Sequence, residues 1–583
     1  MSQSHKLANI ARQELKRQDQ RKKILFSDSE KALDLILDAP SPATLIQSFP
    51  DQDLYYLMHK IGVHDFTPVL AMANSDQWEY ILDMEVWDDD RLDPVMMTQV
   101  FALLYKADPQ RLLRWTITKK PDYIEFFLFH NISIFVREHD ELPPSDFDDY
   151  ITLDDKFYFR FPGRQTQQDG QEDPLTGDHP LDEEAPELIE NMLKALAEMD
   201  LSVFHGLLLE TPALLPAETE EEQFRLKNLR LAEKGFLPFH EAVGIYQPTP
   251  RIRHRPKMAG QGQSLDRDIP HPPLFFTQFI QGDNLFVRAL GLAEKEALML
   301  DNEIAALINK VIAADRVKIQ HKDAVKKTIN KTMAFLSLGL EVLLKHPPKT
   351  EDAARLINTC FLEDIFRAGS KAGIQIRTRA KAWYERSFIN KNNLPLNFLD
   401  ESYLGVIGGL LIQRPMFFAN YADKELYRDF SSLKDIRSTE RILSQIISLD
   451  TFLRGLDLDM NSFTQGVLTY KSLILTLWLR NRTELDKKGE FSLAPVPMET
   501  FSAFFQDLFK GKTTIDETRS RDLAIWAAQS SNISEKDLDP SLQVVLYSLI
   551  QEVEEEYGHV PLSELDPKFI PLFLLTQDQG IIK

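Results

Sequence analysis

Residues 30–87 read EKALDLILDAPSPATLIQSFPDQDLYYLMHKIGVHDFTPVLAMANSDQWEYILDMEVW, a succession of five short segments that each place apolar residues on one helical face. Pro42 stands where the first helical residue of its segment is expected. Helices this short are unstable alone, because nucleation is costly and few hydrogen bonds follow it. We therefore expect them to stack on one another as a superhelical layer. Each segment opens on a residue suited to capping a helix, namely Ser29, Ser41, Asp51, Asp65 and Ser75.

Longer helices are predicted to follow over residues 94–106, 109–118 and 121–137, each with a proline in its first turn. Helical patterning resumes at residue 187, and few strand signals appear after residue 161. The sequence therefore predicts a mainly α fold. It comprises an N-terminal superhelical stack of short helices, an acidic connector with a small β-hairpin, and a large C-terminal helical domain.

The connector is recognised by its charge. Residues 138–190 hold seventeen Asp and Glu against three Lys and Arg. Within them, ITLDDKFYFRF (151–161) alternates around Asp154 and Asp155, which predicts a hairpin with a two-residue turn. The expected segments are a basic N-terminal helix (1–26), a helical-repeat domain (27–138), the acidic connector (139–186), a helical segment (187–247), a Pro-rich basic linker (248–273) and a C-terminal helical domain (274–583).

Composition excludes several classes of protein. The single cysteine, Cys360, rules out an intramolecular disulfide framework and fits a reducing compartment. A net charge of −22 repels phosphate over long range, which disfavours nucleic-acid binding. No apolar run approaches the roughly 20 residues of a transmembrane helix. We expect a soluble, cytoplasmic protein that neither spans a membrane nor binds nucleic acid.

No catalytic or cofactor signature is complete. The phosphate-loop-like FKGKTT (509–514) lacks its first glycine, and the zinc-protease-like pattern that starts at His240 lacks its second histidine. The glycines of YLGVIGGLL (403–411) are interpreted as a site of tight helix packing, and Cys360 as a small apolar residue on a buried helix. We therefore predict no cofactor and assign no catalytic residue.

One candidate binding cluster consists of Asp88, Asp89 and Asp90. Carboxylate oxygens are the ligands that hard divalent cations prefer, so a metal site is one interpretation. A solvated acidic turn is the other, with Asp93 as the N-cap of the following helix.

A second candidate is the basic strip formed by Arg251, Arg253, Arg255 and Lys257, in a Pro-rich setting without a nearby acid. These residues could bind phosphate groups. We favour docking on a protein partner or on the acidic residues 138–190 of the same chain, because dense opposite charges attract at short range.

Two resemblances bear on these expectations. The short capped helices of residues 28–90 resemble the cytoplasmic N-terminal domain of MgtE-type magnesium transporters, which implies a superhelical stack and makes a divalent-cation site conceivable. LDMEVWDDDRLD (82–93) and RLAEKGFLPFHEAVGIY (230–246) resemble an uncharacterised family of large soluble bacterial helical proteins, a domain of unknown function. That resemblance implies a helical fold over most of the chain and no particular activity.

These features favour a non-enzymatic helical scaffold that binds a protein partner, because stacked short helices present extended surfaces. Two alternatives stay open. One is an enzyme of unrecognised type with its site in the C-terminal domain, and the other is a sensor of divalent cations or small molecules. The sequence leaves the partner and the oligomeric state undetermined.

Overall fold

A computed structural model describes residues 16–138, 149–161, 185–248, 251–255, 273–280, 282–293, 297–319, 321–344, 348–422, 424–456, 458, 460, 468–487, 491–510 and 513–576. The chain divides into two compact units. The first comprises Met1–Ile245, Arg255–Asp283 and Ala293–Met333, and the second comprises Tyr246–His254, Asn284–Leu292 and Ala334–Lys583. The six segments expected from the sequence stay a prediction, and much of the acidic connector and of the Pro-rich linker lies outside the described residues.

In its described residues, the first unit consists of helices and two small sheets. Its helices are α1 (16–26), α2 (Ser29–Leu37), α3 (Pro42–Gln47), α4 (Asp51–Ile61), α5 (Thr67–Met72), α6 (Ser75–Glu85), α7 (Pro94–Ala107), α8 (Pro109–Lys119), α9 (Pro121–Asn131), α10 (Ala185–Met199), α11 (Leu201–Glu210), α12 (Pro216–Glu233), α13 (Phe239–Ala242), α15 (Ala297–Ala314) and the part of α16 (Lys322–Leu344) up to Met333. Its strands are β1 (Trp87–Asp88), β2 (Arg91–Leu92), β3 (Ser133–Val136), β4 (Ile151–Thr152) and β5 (Phe157–Arg160). Short 3₁₀ turns include Phe275–Phe279.

The predicted helix starts are close to those observed. Ser41 is the N-cap of α3 and Pro42 its first residue, which confirms both predictions. The other four caps are wrong by one residue, since Asp28, Pro50, Phe66 and Asn74 hold these positions. At α6 the reason is a capping box: the side chain of Asn74 accepts the N–H of Gln77, and the Gln77 side chain accepts the N–H of Asn74.

The short helices bury their apolar faces against each other. α2 packs on α4, α3 on α5, α4 on α6 and α5 on α7, so that each helix contacts the next but one. Trp78 of α6 is fully buried; its indole N–H donates to the carbonyl of Leu70 (2.9 Å), and its ring lies 5.8 Å from that of Trp115. Mutual burial therefore supplies the stability that a six-residue helix lacks alone.

The predicted hairpin exists but differs in two respects. β4 pairs with β5 in antiparallel register, with Thr152 opposite Tyr158, so the connection is longer than the expected two-residue turn. The Asp154 carboxylate accepts the N–H groups of Lys156 and Phe157 and shapes this longer loop. In addition, β3 pairs with β5, so the predicted helix 121–137 is wrong after Asn131. The alternation SIFV (133–136) suits a strand better than a helix.

The second unit is also helical. It contains α14 (Leu285–Leu290), the rest of α16, α17 (Thr350–Thr359), α18 (Leu362–Tyr384), α19 (Phe388–Lys391), α20 (Asp400–Leu411), α21 (Leu433–Gly455), α22 (Tyr470–Arg482), α23 (Met498–Phe509), α24 (Glu517–Ser530), α25 (Pro540–Tyr557) and the strands β6 (Phe417–Phe418) and β7 (Tyr427–Arg428). α21 is its central helix and contacts α18, α20 and α25. The mainly α fold with a small hairpin is thus confirmed.

Glycines permit close approaches in this unit. A Cβ at Gly405 would lie 2.4 Å from the ring of Phe418, and one at Gly409 would lie 2.7 Å from the carbonyl oxygen of Met416. The predicted tight packing of 403–411 is confirmed, although its partner is the segment around β6 and β7 rather than a helix. Among the described residues, no helix combines the length and apolarity needed to cross a bilayer.

Candidate functional site

Asp88, Asp89 and Asp90 belong to a miniature hairpin. β1 and β2 pair with Trp87 opposite Leu92 and Asp88 opposite Arg91, and Asp89 adopts a left-handed conformation (φ 51°) in the turn. All three aspartates are exposed. Within the described parts of the chain, no three His, Cys, Asp or Glu side chains are grouped so that they could hold a metal ion. The solvated acidic turn stays the interpretation that we favour over a metal site.

Asp93, by contrast, has a defined structural role. Its carboxylate accepts the N–H groups of Val95 (2.9 Å) and Met96 (3.1 Å) at the start of α7. The prediction that Asp93 caps this helix is confirmed.

A charge cluster, formed by Glu79, Asp83, Lys120, Lys227 and Arg230, lies beside the hairpin. The Asp83 side chain is buried and accepts two hydrogen bonds from the Arg230 guanidinium, at 2.7 and 2.8 Å. Arg230 is also 3.2 Å from Glu79, which binds the Lys120 ammonium. Two carboxylates spaced one turn apart on α6 thus hold cations from α12 and from the residue before α9.

Lys227 is the third cation of the cluster and has no ion pair among the described residues. Its ammonium lies 4.5 Å from the centre of the Trp87 ring and 5.4 Å from that of Phe224. Burial lowers the pKa of Lys227 to about 8, although Asp83 and Asp89 oppose the shift. Our sequence interpretation missed Lys227, because nothing in the α12 sequence shows that Trp87 packs against it.

Asp53 is a second buried acid in the first unit. It accepts the N–H groups of Leu274 and Phe275, both at 2.8 Å, and so anchors the turn Phe275–Phe279 on α4. Burial raises the pKa of Asp53 to about 7, against the effect of these two hydrogen bonds and of Arg21. Tyr56 reinforces the contact by stacking on Phe275, with ring centres 3.9 Å apart.

Two residues of the basic strip, Arg253 and Arg255, contact acids of their own units. In the second unit, the Arg253 guanidinium binds the fully buried Asp364 (2.8 Å), and the Arg253 N–H donates to the same carboxylate (2.8 Å). In the first unit, Arg255 pairs with Glu303 (2.5 Å). Both acids lie outside residues 138–190, the acidic segment on which we expected the strip to dock. Much of that segment lies outside the described residues, so its docking stays a prediction. Arg251 is exposed, and Lys257 lies outside the described residues.

Cys360 is buried, as predicted, but it does not belong to a helix. α17 ends at Thr359, and Cys360 forms an extended bridge with His254. Its sulfur lies 3.6 Å from His254 Nδ1. The bridge extends the contact that Arg253 makes with Asp364.

The outward face of α25 exposes apolar residues without charge. Val544 and Tyr547 are 53% and 58% exposed, while the opposite face packs on α21. Residues 540–551 contain no charged side chain, so three turns of exposed helix carry no charge. Interface centres are depleted of charge and enriched in tyrosine. The charge-free stretch is visible in the sequence, but the sequence does not show which side of the helix is exposed.

Comparison with known proteins identifies the family to which the chain belongs. No curated protein and no solved structure matches the chain. The resemblance to magnesium transporters is not shown by these comparisons and stays a prediction. The family model of a family of unknown function, DUF6178, matches residues 9–576. The chain belongs to this family.

Proposed function

We propose that this protein is a non-enzymatic cytoplasmic scaffold that binds a protein partner through α25. The exposed, charge-free face of Val544, Tyr547 and Gln551 supports the proposal. These side chains project from one side of the helix at intervals of three and four residues, opposite the buried residues that contact the core. A helix face that only met water would ordinarily carry charged residues.

The partner that we propose is a segment with apolar residues followed by lysines or arginines. Immediately after the apolar face come Glu555 and Glu556, which are exposed and have no ion pair among the described residues. A basic segment would pair with them while its apolar side chains cover Tyr547. A second copy of this chain fits less well, because each copy has a net charge of −22 and the two would repel.

The test compares variants during purification of the full chain from its native cell. Val544→Asp and Tyr547→Asp each place a charge in the proposed interface, and Leu229→Asp does the same at a residue of α12 that is 56% exposed. The proposal expects one protein to co-purify with wild type and with the Leu229 variant and to be lost from both α25 variants. The purified pair should then bind more weakly at high salt.

Two outcomes contradict the proposal. In the first, all variants retain the same partner, which would place its binding site elsewhere. In the second, wild type is a dimer by sedimentation and Tyr547→Asp is a monomer, which would make a second copy the occupant.

A further inference from the structure

We propose that Lys227 is a selective acylation site, at which an activated acyl group such as an acyl phosphate or an acyl thioester modifies the side-chain amine. The inference is independent of the scaffold proposal, since it concerns α12 rather than α25.

The charge balance of the cluster carries the argument. Three cations, Lys120, Lys227 and Arg230, share two carboxylates, Glu79 and Asp83. Arg230 binds both carboxylates, and Lys120 binds Glu79. Lys227 is therefore the cation left without an ion pair among the described residues.

The surroundings of the amine favour its neutral form. Burial removes part of the water shell of the amine, with two aromatic rings at 4.5 and 5.4 Å, and the charge of Arg230 also disfavours the protonated form. The attraction of the rings for an ammonium acts in the opposite direction. Asp83 and Asp89 act in the opposite direction without cancelling these effects. With a pKa of about 8, the neutral fraction near pH 7 is on the order of a hundredfold above that of an ordinary lysine.

The chemical step needs no further reactant. The lone pair of the neutral Nζ attacks the acyl carbon, a C–N amide bond forms, and the bond to phosphate or to the thiolate breaks. The proton lost by the nitrogen goes to solvent. Lys227 is partly exposed, and the proposal requires that a small acyl donor reach its amine.

The test measures acetylation of each lysine of the full chain by peptide mass spectrometry, in one arm with acetyl phosphate and in another with acetyl-coenzyme A. Lys106, which is exposed on α7, provides the reference rate. We expect Lys227 to react at least tenfold faster than Lys106 near pH 7 in one or both arms, and its rate to level off above about pH 8. A rate no greater than that of Lys106, or one that rises without levelling to pH 10, would overturn the inference.

A pair of variants tests the cause. Arg230→Gln releases Asp83 and Glu79 to pair with Lys227, so its acetylation should slow at least fivefold. Arg225→Gln removes an exposed arginine that pairs with Glu222 on the same helix and should leave the rate unchanged. Equal rates in the two variants would contradict the charge-balance argument, and the wild-type pH profile stands even if Arg230→Gln does not fold.

Discussion

Asp364 owes its low pKa mainly to Arg253, with a smaller contribution from the charge of Arg367. Burial alone would raise the pKa of this carboxyl, but the guanidinium and the N–H of Arg253 outweigh burial and hold the pKa below its usual value. The side chain of Asp364 is wholly buried, whereas that of Arg253 is 56% exposed. If the contact is lost, the buried carboxylate of Asp364 is therefore the group left without its partner.

Arg253→Ala should lower the free energy of unfolding by about 2 kcal/mol, because it leaves a buried carboxylate with fewer donors. Arg251→Ala, an exposed neighbour in the basic strip, should cost about 1 kcal/mol or less. Urea denaturation of the two variants measures the difference. Equal midpoints would show that the Arg253 contact contributes nothing to stability.

Asp53 should make the stability of the protein depend on pH in the opposite sense, because its pKa is raised whereas that of Asp364 is lowered. Its folded pKa of about 7 lies above the ordinary value of 3.8, so the folded state keeps a proton that the unfolded chain has lost between these values. The stabilisation from this group is complete below about pH 4 and is lost as the pH rises through 7. The unfolding free energy of wild type relative to Asp53→Asn should thus decrease from about pH 5 to about pH 8. A constant difference across that range would contradict the assignment.

Residue roles were predictable from the sequence only where they are local. Asp93 could be identified as a cap because its partners are two and three residues away. Lys227 and Asp53 could not be identified, since the environment of each is set by residues distant in the chain, Trp87 for one and Leu274 for the other. Desolvation has no signature in the sequence of the helix that carries the group.

At the scale of the elements, α16 and α18 cross at Gly339 and Gly369, where the two helix backbones approach closely. A Cβ at Gly339 would lie 1.9 Å from the carbonyl oxygen of Ile365, and one at Gly369 would lie 2.1 Å from that of Phe335. Alanine at either position therefore forces the helices apart.

Gly369→Ala should destabilise the protein by roughly 1–3 kcal/mol, as overpacking does. Gly206→Ala on α11 is the matched control, because no atom beyond its chain neighbours and its own helix backbone lies within 4 Å of the added carbon. There the usual helical preference for alanine should stabilise by about 0.5–1 kcal/mol. Thermal unfolding of both variants measures the sign of each change in stability. Destabilisation of the same size at both positions would contradict the close crossing of α16 and α18.

The hairpin formed by β1 and β2 bears on the alternative function, a sensor of divalent cations. Its three exposed aspartates lack a grouped set of further ligands among the described residues. We expect millimolar Mg²⁺ or Ca²⁺ to leave the melting curve unchanged. A stabilisation that disappears in the variant Asp88→Asn/Asp89→Asn/Asp90→Asn would instead establish a cation site there.

Helices were easier to predict than the ends that terminate them. The proline-led starts at Pro94, Pro109 and Pro121 agree with the structure, because proline fixes the first turn locally. The end of α9 was missed, since β3 exists only through its pairing with β5, which follows about 20 residues later. Strands need a partner that the local pattern does not reveal.

At the scale of the whole molecule, the acidic charge and the charge-free face of α25 have different consequences. The net charge of −22 favours basic partners over long range, whereas the apolar face of Val544 and Tyr547 provides contact area at short range. We therefore expect high salt to slow association more than it speeds dissociation. Stopped-flow or surface-based kinetics with the purified partner measures both rates, and an association rate that does not depend on salt would contradict the electrostatic part of the proposal.

The partner-binding role of α25 can be tested most directly by photo-crosslinking at Tyr547. Replacing this residue with p-benzoylphenylalanine in the full chain, and irradiating the native cell, should yield an adduct with one other protein, joined through a segment of apolar and basic residues. The same replacement at Leu229 should not give that adduct. An adduct formed only with copies of this chain, or the same adducts from both positions, would contradict the proposed function.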